Sequence, residues 1–375
     1  MHDSIGDRAC YRVPGASRFD RREHAAWWVA TFLISLLLTG LQFTTTAPFK
    51  LAGFELMAHF NATEPFQCRV LVPAIVAGVQ YLVPLGPKIV FGAVELVFWM
   101  ALIALAYRAL ERFGIARNEL IRRLLALTVV VPMVAHLLMP DLHVASGFSA
   151  ADGVLDLGVW RAWPLFYYPY DLPAAVFTLA LCLLLMRLRK SPSRGVLLVF
   201  VVLFTIATAN RETTIFLLPT TALLLWGRLP TTQLLALGVV LLAVFLAVEL
   251  PLYWLFSDMQ NPNRRIASTQ YESHLLSNLG FFRSPFYAAW FVTRFAGGLA
   301  LVALFWWRFV DRRLKIVLIT FALPLFCFAM WVGRLPEHRI FSEMVPLIWL
   351  AAMGAIAARA GCRERPDLRG DTDGV

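Results

Sequence analysis

The sequence predicts an all-α protein, a polytopic transmembrane bundle of about ten or eleven hydrophobic helices. Two observations carry that expectation. The 375 residues are 59% hydrophobic and only 15% charged, with a mean hydropathy of +0.67, which is more apolar surface than one water-soluble core can bury. The apolar residues also fall in long runs separated by short polar loops, the pattern of helices that cross ~30 Å of hydrocarbon with about 20 residues each. Lipid is therefore expected to be the solvent.

The elements follow in order. Ala25 to Phe43 is preceded by Arg8, Arg12, Arg18, Arg21 and Arg22. The run is longer than the apolar region of a signal peptide and lacks a small-residue cleavage site, so it reads as an uncleaved first helix. Further apolar runs cover 70–86, 88–107, 124–140, 171–186, 196–209, 214–227, 233–256, 286–307, 316–333 and 344–358. The short runs near 70–86 and 196–227 are expected to be short, tilted or re-entrant. The organisation is a basic segment 1–24, one helical domain 25–360 and a polar, disordered tail 361–375. No internal repeat is visible.

The formal charge is +10, but the arginines sit in small clusters between apolar runs, which marks topology and not a nucleic-acid surface. The basic loops are the amino terminus, 108–123, 187–194, 308–315 and the carboxyl terminus. The positive-inside rule makes all of them cytoplasmic. Strict alternation of crossings would put 108–123 outside. The conflict disappears if 44–87 makes no net crossing. The loops 44–69, 141–170, 257–285 and 334–343 and the tip 210–213 then gather on the exoplasmic face. Abundant Ala, Leu and Arg with few Lys suggest a bacterial inner (plasma) membrane.

Cys10, Cys68, Cys182, Cys327 and Cys362 form no C-x-x-C pair, so neither a disulfide framework nor a zinc site follows. There is no G-x-x-x-x-G-K-[ST] loop, H-E-x-x-H helix, G-x-S-x-G elbow or dinucleotide fingerprint. Asp141-x-His143 is two ligands without partners, so no cofactor is assigned and a divalent metal stays open.

Ionisable residues at membrane depth usually line a cavity or a substrate path. Arg211 and Glu212, in Asn210-Arg211-Glu212-Thr213, are the only charges between Val196 and Gly227. They read either as a self-satisfied hairpin tip or as a ligand site, since a guanidinium offers paired donors to a phosphate. In the first polar loop Glu55 and His59, four apart, share one helical face, and Glu64 and Arg69 flank the next helix. Glu55 and Glu64 are candidate general bases; the other reading is a solvated amphipathic loop. In 334–343, His338 and Arg339 can bind an anionic headgroup, with Glu337 and Glu343 neutralising them. Asp171 follows a run of aromatics, Trp160, Trp163, Phe166, Tyr167, Tyr168 and Tyr170, that suits an interfacial belt or a sugar platform. His136, Glu95 and Glu249 lie within apolar runs and read as interhelical hydrogen-bonding residues.

The acidic first loop, Pro65-Phe66-Gln67-x-Arg69-Val70-Leu71-x-Pro73, Tyr168-Pro169-Tyr170-Asp171 and Asn210-Arg211-Glu212-Thr213 together resemble segments of bacterial polytopic membrane proteins. These are similar in layout to the C-type membrane glycosyltransferases, which use polyprenyl-phosphate sugars. The resemblance implies a sugar transferase at the exoplasmic face. Glu55 or Glu64 would act at the reacting hydroxyl, and Arg211, Arg339 or Arg69 would hold the lipid phosphate. His59, Asp171, Asn210, Glu212 and His338 complete the candidate substrate site, and the implied partners are membrane lipid and a polyprenyl-phosphate-linked sugar. A transporter or flippase of a lipid-linked or anionic substrate is the alternative, and a noncatalytic membrane scaffold is the third reading.

Overall fold

A computed structural model of the chain describes residues 21–63, 66–138, 142–144, 160–162, 166–257, 274–333, 335 and 337–361. The expected amino-terminal segment up to residue 20, Glu64, Asp141, Trp163 and the tail from residue 362 lie outside the described residues. The fold is an all-α bundle. Its helices are α1 (Arg21–Thr45), α2 (Phe54–Ala58), α3 (Leu71–Leu82), α4 (Pro87–Arg112), α5 (Glu119–Leu127), α6 (Val130–Leu137), α7 (Asp171–Lys190) and α8 (Arg194–Asn210). After these come α9 (Leu217–Leu225), α10 (Thr231–Ser257), α11 (Leu275–Phe281), α12 (Pro285–Arg294), α13 (Leu299–Phe305), α14 (Arg312–Val317), α15 (Leu323–Val332) and α16 (Val345–Arg359).

Among the described residues, eight helical segments are long and apolar enough to cross a membrane. These are Arg21–Thr45, Pro87–Arg112, Glu119–Leu137, Asp171–Lys190, Thr231–Phe256, Pro285–Phe305, Arg312–Val332 and His338–Arg359. Three shorter apolar helices, Leu71–Leu82, Arg194–Asn210 and Glu212–Leu225, occupy the runs that the sequence marks as too short. At 1.5 Å per residue, the 12 residues of α3 rise about 18 Å, well under the hydrocarbon thickness.

Side-chain placement shows why these helices need lipid. α1 turns Val29, Phe32, Leu33, Leu36, Leu37 and Leu41 outward and buries Thr31, Ser35, Leu38, Thr39 and Gln42. α10 likewise exposes Leu235, Val239, Leu242, Leu246 and Leu250. Such large apolar faces are unstable in water and neutral in hydrocarbon. The almost wholly buried α7 and α16 form the centre, with Trp349, Leu347, Leu181 and Leu185 in one core.

α1 and α4 are antiparallel. Trp27 meets Tyr107, at 5.6 Å between ring centroids, near one end of the pair, and Phe43 lies against Gly92 near the other. The chain from 46 to 86 thus begins and ends at the same end of the bundle, so it makes no net passage along it. Two short two-stranded sheets complete the fold. β1 (Ala47–Pro48) runs parallel to β4 (Phe166–Tyr167), while β2 (Leu142–Val144) pairs antiparallel with β3 (Trp160–Ala162).

The basic loops collect at the other end. Arg112 donates to the Met186 carbonyl at 2.8 Å, Arg189 to that of Leu224 at 2.6 Å and Arg123 to that of Glu23 at 3.1 Å. Arg313 lies over Phe113 and Arg359 over Trp306. Local caps start helices here: Asn118 accepts from Leu120 and Ile121, Ser193 from Val196, and Asp311 from Arg313, each satisfying an amide that has no partner inside its helix.

Candidate functional site

A charged network occupies the end of the bundle opposite the basic loops. It is assembled from the chain before α3, the start of α7, the break between α8 and α9, and the 3₁₀ turn His338–Met344 that leads into α16. α8 stops at Asn210 because Arg211 is extended, at φ −162° and ψ 133°. The chain then makes a 3₁₀ turn, Glu212–Phe216, before α9. The break points consecutive side chains in different directions.

Arg211 and Glu212 accordingly do not satisfy one another. Glu212 goes to Arg69, which donates from Nη2 at 2.7 Å and from Nε at 3.2 Å. Arg211 turns inward, with Nη1 3.4 Å from Asp171 Oδ1 and Nε 3.2 Å from Glu343 Oε1. Thr213 Oγ1 donates to the same Glu343 oxygen at 2.7 Å. Asp171, in the first turn of α7 where the helix dipole favours a carboxylate, faces a second cation, Arg339 Nη1, at 3.4 Å. Arg339 also donates to Glu337 at 2.8 Å, and Ser342 Oγ donates to the Asp171 carbonyl at 3.3 Å. Three guanidiniums and four carboxylates thus form two neighbouring sets, Arg69 with Glu212, and Arg211 and Arg339 with Asp171, Glu343 and Glu337, and the buried arginines are paired as desolvation requires.

An aromatic pad underlies two of the arginines. Arg69 lies 4.4 Å above the centre of Tyr170, and Arg339 lies 3.5 Å above that of Tyr168. Phe66 stacks on Tyr168 at 5.1 Å. Each guanidinium over a ring face gains about 1–2 kcal/mol in such partly desolvated surroundings. Burial disfavours the Arg69 charge, but Glu212, Tyr170 and Asp171 together outweigh that and hold the pKa well above the usual value. Burial pushes the Tyr168 phenol up to about 12 against the pull of Arg339, so it stays a neutral platform. Among the buried polar atoms here without a hydrogen-bond partner are Tyr170 Oη, Asn210 Oδ1 and Arg211 Nε, the last held only as an ion-pair contact to Glu343. The Asn210 amide nitrogen donates to the Tyr170 carbonyl at 3.0 Å.

Of the residues singled out by sequence, Arg69, Asp171, Arg211, Glu212 and Arg339 are joined in this network, and Asn210 borders it. His338 is buried, and its carbonyl accepts from His136 Nδ1 at 2.8 Å. The other His136 nitrogen, Nε2, accepts from the Ala296 amide. Glu55 and His59 stand apart. They face each other at 3.7 Å with side chains 71% and 67% exposed, and the structure joins neither to the arginines. Phe54 of their helix α2 packs on Tyr167, the residue before Tyr168, at 5.4 Å.

The sequence reading assigned Glu343 to neutralise His338 and Arg339; its cation is instead Arg211. Thr213, Ser342 and the platform role of Tyr168 and Tyr170 were missed. The aromatic pair in Tyr168-Pro169-Tyr170, set just before the charged start of α7, was the available signal. No cluster of three or more His, Cys, Asp or Glu suited to a metal occurs among the described residues.

Fold and site together define a multi-pass helical membrane protein with a buried arginine–carboxylate network at one end. No family model matches the chain, and neither a curated protein nor a solved structure matches it.

Proposed function

We propose that this protein is a membrane glycosyltransferase-like enzyme that takes a sugar from a polyprenyl-phosphate donor at the end of the bundle carrying the charged network. That end is exoplasmic in this reading. The basic loops face the cytoplasm with both termini, the short helices near 70–86 and 196–227 are re-entrant, and the host membrane is a bacterial inner membrane. The observation that carries the proposal is the convergence of Arg69, Arg211 and Arg339, from three distant segments, at the end away from the basic loops.

In the reaction, the acceptor hydroxyl oxygen bonds to the anomeric carbon, the carbon–oxygen bond to phosphate breaks, and the hydroxyl proton passes to a carboxylate. The leaving lipid phosphate gains negative charge, which fixed guanidiniums stabilise. Arg339 is the best placed for this, since its side chain is 17% exposed and its partner Glu337 is 33% exposed. Asp171, held between two arginines, suits an anchoring role better than that of a base. By the resemblance, the base is Glu55 or Glu64, and Glu55 is exposed on α2.

The test is release of polyprenyl phosphate from labelled polyprenyl-phosphate sugars by the purified protein in proteoliposomes. Release that requires Glu55 or Glu64 and falls with Arg339→Ala supports the transferase. Transbilayer movement of an intact donor, without release, would replace it with the flippase reading. That second reading has its own observation: the helix pair α12–α13 is interrupted at Ala296, Gly297 and Gly298, all with positive φ, as in discontinuous helices that gate a substrate path.

A further inference from the structure

A second polar feature lies apart from the arginine network. Thr31, Ser35, Thr39 and Gln42 recur along α1 at intervals of four, four and three residues, so they share one face, and all are buried. That face packs on α4, where Thr39 approaches Gly92. One turn further along α4 come Glu95 and then Trp99, both buried.

Thr31 is accounted for, since its hydroxyl donates to the Trp27 carbonyl at 2.9 Å. The rest of the seam is not. Ser35 Oγ, Thr39 Oγ1, Gln42 Oε1, Glu95 Oε1 and Trp99 Nε1 are buried without a hydrogen-bond partner. Glu95 Oε2 accepts from Tyr167 Oη at 3.2 Å, and the Gln42 side chain interacts with the carboxyl. Orphaned polar atoms are rare in folded proteins and cost free energy when dry, most of all within an apolar span. With Trp27 Nε1 nearer the basic end, six such atoms lie along this helix pair, and the five between Ser35 and Trp99 call for an occupant.

We propose that the α1–α4 seam binds one monovalent cation, a sodium ion or a proton, at Glu95, with Thr39, Gln42 and Tyr167 providing neutral oxygens around it. The donors are all oxygen, which suits a hard cation. Glu95 supplies a single negative charge, and no Arg, Lys or His forms an ion pair with it among the described residues. A divalent ion needs more carboxylate than one residue provides. Asp171, at the start of α7, acts on Glu95 as a like charge, and Tyr167 is the titratable group in contact with it. The like charge of Asp171 raises the value of a bound positive charge, and the hydrogen bond from Tyr167 to the carboxylate offsets part of that. Ser35 and Trp99 extend the polar strip along the seam.

The inference is independent of any sugar transfer. Its test uses the full chain in lipid nanodiscs and dicyclohexylcarbodiimide, an apolar reagent that modifies protonated carboxyls in membrane interiors. Peptide mass spectrometry locates the adduct, with sodium exchanged for choline at constant ionic strength and with pH varied. An adduct on Glu95 that forms in choline and falls severalfold with sodium supports a sodium site. One that ignores sodium and falls as pH rises supports a proton site. No adduct on Glu95 in any condition, or one indifferent to both variables, overturns the proposal. These readouts come from the wild-type chain, so they stand even if Glu95→Gln fails to fold. Where Glu95→Gln does fold, it is expected to lose any sodium-dependent rise in melting temperature that the wild type shows.

Discussion

Arg69 and Glu212, 143 residues apart, meet through two hydrogen bonds of 2.7 and 3.2 Å. This contact ties the chain entering α3 to the break between α8 and α9. Arg69 lies almost wholly inside, whereas the Glu212 side chain is 39% exposed, so water screens part of the attraction. Arg69→Ala is expected to lower stability in detergent micelles more than Glu212→Ala does, because it strips the pad of a stacked cation as well as the pair of its charge. A double-mutant cycle should give a coupling of about 1 kcal/mol. Zero coupling would mean that the pair does not hold these segments together.

Asp171 carries a heavier role, since its carboxylate faces both Arg211 and Arg339 with only 3% of its side chain exposed. Asp171→Asn keeps the shape and removes the charge. Stripping one partner from a buried pair costs about 3–5 kcal/mol, so the variant should unfold at a clearly lower temperature than Asp171→Glu. Equal melting temperatures for Asp171→Asn and wild type would show that the arginines are neutralised by other groups.

The interruption between α12 and α13 depends on left-handed backbone. Gly297 has φ +61°, and a methyl group there would sit 3.3 Å from Pro132 Cα. Gly297→Ala is expected to cost about 1–2 kcal/mol from conformation alone, with the contact adding to it. Thermal unfolding in micelles reads this directly, and an unchanged midpoint would mean that the interruption straightens without penalty.

Sidedness follows from the two ends of the bundle. In a chain freed of its native cysteines, Glu55→Cys should react with a membrane-impermeant thiol reagent added to intact cells, while Arg117→Cys and Arg308→Cys should react only after permeabilisation. Reaction of Arg117→Cys from outside would place the basic loops on the exoplasmic face and remove the basis for an external sugar transferase.

What the residues could reveal on their own was the solvent and the segmentation. A chain this apolar must meet lipid, and each long run becomes a helix because a hydrocarbon environment leaves no other partner for its backbone amides. The same logic separated the short runs at 70–86, 196–209 and 214–227 from the eight longer segments. The arginine bias of the loops anticipated that 44–87 makes no net passage, and the antiparallel packing of Trp27 on Tyr107 agrees.

Much of the network was also legible, because charges beside apolar runs are conspicuous. Arg69, Asp171, Arg211, Glu212 and Arg339 all stood out before their contacts were known. Apart from Arg339 with Glu337, their pairing was not legible. Neighbours in sequence suggested Arg211 with Glu212, and Arg339 with Glu343, yet the extended backbone at Arg211 sends it to Asp171 and Glu343 while Glu212 turns to Arg69. Such choices depend on which helix ends the packing of α7 and α16 brings together, and no local pattern encodes them. Likewise, Glu95 read as an interhelical hydrogen-bonding residue, but its partners were unknown until the antiparallel fit of α1 and α4 set it near Thr39, Gln42 and Tyr167. Composition determined that the chain lives in a membrane; long-range packing alone decided which buried charges face one another, since that depends on distances in space and not along the chain.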